Sequence, residues 1–182
     1  MMNIDSVIEG CRKGNRAMQK VLYDTYSPRF FAVCRRYAAD DEEARDILVD
    51  GFIAVYECIE KYKGEGSFEG WMHSIFQRTA IAYYRKNLRI QKTFSSMDNV
   101  EYPDTGNVIH QIDIRDALIE ALRQLPDEER IIFNLVAVEE YSFVDAGETT
   151  GIAVSTAKSR YYRALQKVQN ILKSRLGDHY LK

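Results

Sequence analysis

The chain reads as all-α, built as two small helical domains joined by a linker, with a helix-turn-helix in the second. Three observations predict this. Apolar residues recur at helical spacing along nearly the whole sequence, and no alternating strand pattern competes. Proline is confined to Pro28, Pro103 and Pro126, so long helices run uninterrupted. The stretch Tyr141 to Gln169 reads as a short helix, a turn at Gly151 and a longer helix. We expect residues 1-92 to form the first domain, 93-112 the linker and 113-182 the second domain.

Asn3 to Arg12 is a short amphipathic helix closed by Gly14. A second helix starts near Asn15, with Met18, Leu22 and Tyr26 inward. Ser27 followed by Pro28 is expected to end it and open another, because serine caps and proline suits the first helical position. Phe30, Val33, Cys34 and Tyr37 carry the apolar face onward. Asp40 with Glu43 opens the next helix, with Ile47, Leu48, Phe52, Val55, Tyr56 and Ile59 inward. Lys61 to Gly66 is a loop, and Ser67 caps a helix from Phe68 to about Arg89. Gln91 to Gln111 has no period and contains Pro103 and Gly106, as a linker does. Ile114, Leu118, Leu122 and Leu125 mark a helix, and Pro126 with three acids starts the next, burying Ile132, Leu135 and Val136.

In the helix-turn-helix, Ser142 and Asp145 form a capping-box start. Val154, Ala157, Tyr161, Leu165, Val168 and Leu172 fall on one face of the second helix. The other face carries Ser155, Thr156, Ser159, Arg160, Arg163, Gln166 and Lys167, and no acid occurs from Val154 to Leu176. Such a face suits a major groove, where arginine can bond guanine and hydroxyls reach phosphates or base edges. A solvated basic face of a core helix is the other reading.

Net charge is −2, which by itself argues against a nonspecific nucleic-acid coat protein, but the charge is segregated. Asp40 to Glu60 is strongly acidic, whereas Met72 to Met97 has no acid and gathers Arg78, Arg85, Lys86, Arg89 and Lys92. Separate acidic and basic binding surfaces are expected. Cys11, Cys34 and Cys58 are far apart with no ligand spacing, so buried free thiols in a reducing compartment are expected. No signal peptide or membrane-length apolar run is visible, and a cytoplasmic protein is expected. His73, His110 and His179 are scattered, and no nucleophile or phosphate-loop motif occurs; we expect neither an enzyme, a metal, a cofactor nor a small-molecule substrate.

Residues 44–86, from ARDILVDGF through KYKGEGSFEGW to YYRK, resemble the core-binding and promoter-melting domain of bacterial sigma factors of the extracytoplasmic-function group. Residues 116–168, with LPDEER and then a helix-turn-helix ending KSRYYRA, resemble the domain of those factors that reads the −35 element. Both occur in family order. The resemblance implies binding to core RNA polymerase and promoter DNA, and an anti-sigma partner. It assigns Asp46 and Asp50 to polymerase docking. It assigns Tyr62, Lys63, Gly64, Ser67 and Phe68 to a loop that receives an extruded −10 base, followed by Arg78, Arg85, Lys86 and Arg89 on phosphates. Trp71 is either a core anchor or a DNA wedge. Ser155, Thr156, Lys158, Ser159, Arg160 and Arg163 fall to the −35 element.

The chain departs from the family at several positions. Gln77 and Arg78 stand where a basic residue and Asn are usual, and Ala82 stands where Asp is common. Ala146 and Thr150 replace large aliphatics, Ala157 replaces Val, and Ala153 occupies the usual Ser cap. The expected function is that of an alternative sigma factor, directing initiation by −35 recognition and −10 melting. A stand-alone helix-turn-helix regulator is the alternative, as is a sigma-like protein without promoter activity, which the altered turn-helix packing favours.

Overall fold

The computed structural model describes residues 3–94 and 114–176, with residues 87–94 described as helical backbone. All regular structure among them is helical. The chain divides into two compact units, Met1–Tyr83 and Tyr84–Lys182. The expected linker lies mostly outside the described residues, although residues 93 and 94 end a helix.

In the first unit, α1 (Ile4–Arg12) begins where the Asn3 side chain accepts the Asp5 N–H, at 3.1 Å. Its buried Val7, Ile8 and Cys11 face α2 (Arg16–Tyr37), capped in the same way by Asn15. The break expected at Ser27-Pro28 does not occur, and α2 runs on through Pro28. Proline removes one N–H, but Pro28 is exposed, so the orphaned carbonyl can turn to water. The buried Leu22, Phe30 and Val33 lie on both sides of it and hold one continuous seam.

Asp40 caps α3 (Asp41–Cys58) by accepting the Glu43 N–H at 2.8 Å, while the Glu43 carboxylate reaches back to the Ala39 N–H. α3 closes through a 3-10 turn (Ile59–Lys61). α4 (Phe68–Phe94) follows, with the Ser67 hydroxyl accepting from the Gly70 N–H. Phe30, Phe52 and Phe76 form the aromatic centre, with ring centroids 4.3 Å apart for Phe30–Phe76 and 5.2 Å for Phe52–Phe76. Gly51 makes this possible, since a Cβ there would lie 2.2 Å from Phe76. Cys11 and Cys34 are buried, and burial pushes the Cys34 thiol up to about 12, so it stays protonated and inert. Cys58 is only half-buried, because it sits at the end of α3. Tyr56 is half-buried too, and its hydroxyl donates to the Gln19 carbonyl.

In the second unit, α5 (Ile114–Arg123) and α6 (Asp127–Phe133) precede the helix-turn-helix. Ile114, expected inward, is largely exposed at the first position of α5; Leu122 and Leu125 are buried as expected, joined by Ala117, Ile119 and Ala121. Arg130 is buried, and its guanidinium pairs with Asp127 at 2.5 Å and donates to the Leu125 carbonyl, so it ties the turn between α5 and α6. Beyond α6 the helix widens into a π turn (Asn134–Val138) that no periodicity announced, leaving Val136 half-buried. Two residues past its end stands Glu140, the non-glycine residue with positive φ among those described, at 57°. A left-handed conformation costs an L-residue roughly 1–2 kcal/mol. Part of that gain is lost to the greater freedom of unfolded glycine, so Glu140→Gly raises stability by up to about 1 kcal/mol. A higher urea midpoint with unchanged slope checks it, and a lower midpoint refutes it.

α7 (Phe143–Thr150) starts as expected, with Ser142 accepting the Asp145 N–H at 3.1 Å. It stops at Gly151, whose φ of 74° is left-handed. Gly147 is equally necessary: a Cβ there would lie 2.9 Å from the Ile152 carbonyl. α8 (Val154–Leu176) packs on α5, α6 and α7. Ala121, Leu122, Leu125, Phe133, Ala164 and Val168 make the core. Ala146 and Ala157, the small replacements, are fully buried, and Phe143 and Tyr161 pack edge-on across α7 and α8 at 5.4 Å. The backbone oxygen of Ala153 accepts the Ala157 N–H, so Ala153 is the capping position and brings no side-chain acceptor. Ala153→Ser supplies one, worth about 1 kcal/mol. The amides of the first turn of α8 should then exchange about fivefold more slowly; unchanged exchange would refute the capping role.

Candidate nucleic-acid and polymerase interfaces

Three surfaces collect the residues singled out by sequence. The first is the outer face of α3. Asp46 and Asp50 are one helical turn apart and both exposed, as expected. Between and beyond them, Val49 and Ile53 are 51% and 49% exposed, and Glu57 continues the line. The face is therefore an acid-flanked apolar stripe, not merely an acidic one. The two aliphatics were not singled out, although the inward set Ile47, Leu48, Phe52 and Val55 leaves both on the outer side, so helical spacing was the signal that could have found them.

The second surface is the loop between the 3-10 turn and α4. Gly64 and Gly66 have φ of 81° and 74°, conformations open to glycine. Lys63, Gly64 and Ser67 are exposed. The Tyr62 hydroxyl closes the loop by donating to the Gly66 carbonyl at 2.9 Å. Its ring stands 5.0 Å from Phe68 and 5.4 Å from Trp71, and Phe68 stacks on Trp71 at 5.5 Å. Phe68 does not offer the stacking face expected of it. Phe68 is only 7% exposed and also meets Tyr26 edge-on, because it is the first residue of α4 and points to the core. Tyr62 and Trp71, both half-buried, are the open part of the cluster. Trp71 is thus both anchor and surface.

Along α4, Arg78, Arg85 and Lys86 are exposed, and Arg78 folds back to donate to the Ser74 carbonyl at 2.9 Å. Gln77 is buried beside it and cannot share the outer face. The side chain of Arg89 lies outside the described residues. Tyr84 is buried and Tyr83 half-buried.

The third surface is α8. Ser155, Lys158, Ser159 and Tyr162 form one exposed stripe at helical spacing, with Thr156 half-buried at its edge. Arg160 does not stand on this outer stripe. It is half-buried and ion-paired with Glu128 of α6. The next cations along that side face the same helix: Arg163 lies 3.4 Å and Lys167 2.8 Å from the buried carboxylate of Glu129. These three follow the edge of the buried seam, and α6 supplies acids there, so the expected basic face is partly neutralised. Arg163 keeps an exposed side chain. Tyr162 was missed. It is 59% exposed, packs against Tyr161 at 5.4 Å and Phe143 at 6.3 Å, and neighbours Lys158, whose ammonium sits 5.8 Å over Phe143. Among the described residues there is no group of acids, cysteines and histidines able to hold a metal, and no helix long and apolar enough to cross a membrane.

Two helical units, the second containing a helix-turn-helix, place the chain in the class of all-α proteins with a DNA-reading module. Residues 22–90 match the family described as Sigma-70 region 2, and residues 115–168 match Sigma-70, region 4. RNA polymerase sigma factor SigV of Bacillus subtilis is 30% identical over 139 residues, covering 75% of this chain and 80% of the relative. ECF RNA polymerase sigma factor SigE of Mycolicibacterium smegmatis is 27% identical over 151 residues, 81% of this chain and 58% of its own length. Among solved structures, the sigma factor RpoE of Bartonella quintana, crystallised with the anti-sigma factor NepR, superposes with a TM-score of 0.50 at 20% identity. That match covers 85% of this chain and 96% of the other. The chain belongs to the extracytoplasmic-function family of RNA polymerase sigma factors and directs promoter-specific initiation of transcription.

Proposed function

We propose that this sigma factor divides initiation among the three surfaces, in the cytoplasm and with core RNA polymerase as its partner. The α3 stripe docks on the polymerase. Asp46 and Asp50 meet cationic groups while Val49 and Ile53 bury apolar area at the centre of the contact. The loop from Tyr62 to Phe68 receives a −10 base. Tyr62 and Trp71 offer the stacking faces, Phe68 backs them from the core, and Lys63, Gly64 and Ser67 give close backbone and polar contact. Arg78, Arg85, Lys86 and Arg89 follow the phosphates of the unpaired strand.

The −35 element is read by Ser155, Thr156, Lys158, Ser159 and Arg163, joined by Tyr162. Arg160 serves from the flank, held by Glu128. The domain limits 1-92 and 113-182 belong to this reading, as does restraint by an anti-sigma protein. The observation that carries it is the loop: two left-handed glycines and an aromatic cluster lie immediately before a basic helix. Neither a stand-alone regulator nor an inactive scaffold has use for it. Run-off transcription with core polymerase, with and without the protein, tests the proposal. Promoter-specific transcripts that require the protein support it. DNA binding without transcripts would leave the regulator.

A further inference from the structure

We propose that Arg12, the last residue of α1, is a positioning residue for the loop: it fixes the backbone at Tyr62, and so the angle at which Tyr62 and Trp71 meet an unstacked base. This rests on the −10 reading of that loop.

The Arg12 guanidinium donates to the Tyr62 carbonyl and, at 3.5 Å, to the Ile59 carbonyl. Glu9, one turn earlier on α1, holds the same guanidinium at 2.8 Å. The Ile59 carbonyl also accepts the Tyr62 N–H, at 3.2 Å, so Arg12 grips both ends of the 3-10 turn that launches the loop. Beyond Tyr62 the chain passes through two left-handed glycines, which impose little backbone stiffness of their own. Tyr62 is also held by its own hydroxyl on the Gly66 carbonyl and by ring contacts with Phe68 and Trp71. A planar fork that can bond two carbonyls at once is what arginine supplies and lysine cannot. The arrangement gives α1 a part in the melting surface, although it lies 50 residues upstream of the loop.

Lys13 supplies the control. It is the next residue, also cationic but exposed where Arg12 is half-buried, so its removal reports the effect of charge alone. Trp71 is the only tryptophan and touches the Tyr62 ring, so its fluorescence reports the loop's position. The experiment uses the full chain bound to core polymerase. The probe is a single-stranded oligonucleotide bearing the −10 element of a promoter that this holoenzyme opens. Arg12→Ala should lower affinity for it about tenfold, and Lys13→Ala less than twofold. Core-polymerase binding should be unchanged in both. Arg12→Lys, which keeps the charge, should lose about threefold. In the free protein Arg12→Ala and Arg12→Lys should shift Trp71 emission to the red and raise its quenching by acrylamide, with Lys13→Ala like wild type.

Equal losses for Arg12→Ala and Lys13→Ala would reduce the effect to charge and overturn the proposal. Should Arg12→Ala fail to fold, wild-type affinity and emission in Arg12→Lys overturn it equally. Tyr62→Ala separates the two levels. If it costs no affinity, the loop reading itself fails. If it costs affinity while both Arg12 variants bind as wild type, the loop reading stands and Arg12 has no part in it.

Discussion

Reversing both acids of the α3 stripe, Asp46→Arg with Asp50→Arg, should weaken binding to core RNA polymerase by about 100-fold or more. Both side chains point to solvent, and buried Ile47, Leu48, Gly51 and Phe52 hold the opposite side of the helix. The fold therefore loses little, since surface substitutions away from specific contacts usually stay within about ±0.5 kcal/mol. At an interface the sum differs. Removing one partner of a desolvated charge pair costs roughly 2–5 kcal/mol, and reversal adds repulsion between like charges. Even the lower part of that range, near 3 kcal/mol, is about two orders of magnitude in affinity. Val49→Ala with Ile53→Ala should weaken binding as well, with less dependence on salt, because that loss is of apolar area. Circular dichroism should be unchanged for both double variants. Copurification of the charge-reversed protein with core polymerase at wild-type yield would show that the docking face lies elsewhere.

Much of this arrangement was legible because local rules and tertiary demands agree. Asn15, Asp40, Ser67 and Ser142 cap the helices that they precede, and Gly151 turns where a left-handed residue is required. Asp46 and Asp50 are exposed because they lie on the side of α3 opposite the buried Ile47, Leu48, Phe52 and Val55. Features that failed to show in the sequence depend on partners distant along the chain. Pro28 looked like a break, but a seam buried on both sides overrides a local preference. Arg160 looked outward until α6 placed Glu128 beside it. Phe68 looked like a free ring because nothing local says that the first residue of α4 faces the core. Gly51 gave no turn signal at all; its use is the space that it leaves for Phe76. Arg12 and the loop belong to segments that only the folded chain brings together.

The two DNA-facing surfaces should fail differently when cut back. Lys158 is exposed on the outer stripe of α8 beside Ser155, Ser159 and Tyr162, with its ammonium over the Phe143 ring. Its target is closed duplex, where a good base contact discriminates by roughly 1–3 kcal/mol. Lys158→Ala should thus weaken holoenzyme binding to a −35-bearing duplex about tenfold and narrow its lead over other sequences. Arg160→Ala should cost less, because Glu128 already neutralises that guanidinium. Tyr62 acts only after a base has left the stack, so Tyr62→Ala should leave closed binding nearly unchanged. Loss of one stacking face is worth roughly 1–3 kcal/mol. That loss should appear as a weaker permanganate signal in the −10 region, and a pre-melted template should restore only the part due to opening. The measurement is closed-complex affinity and open-complex yield on one promoter for each variant. If Lys158→Ala blocks opening with duplex binding intact, or Tyr62→Ala abolishes duplex binding, the roles given to the two domains are exchanged and the division of labour proposed here fails.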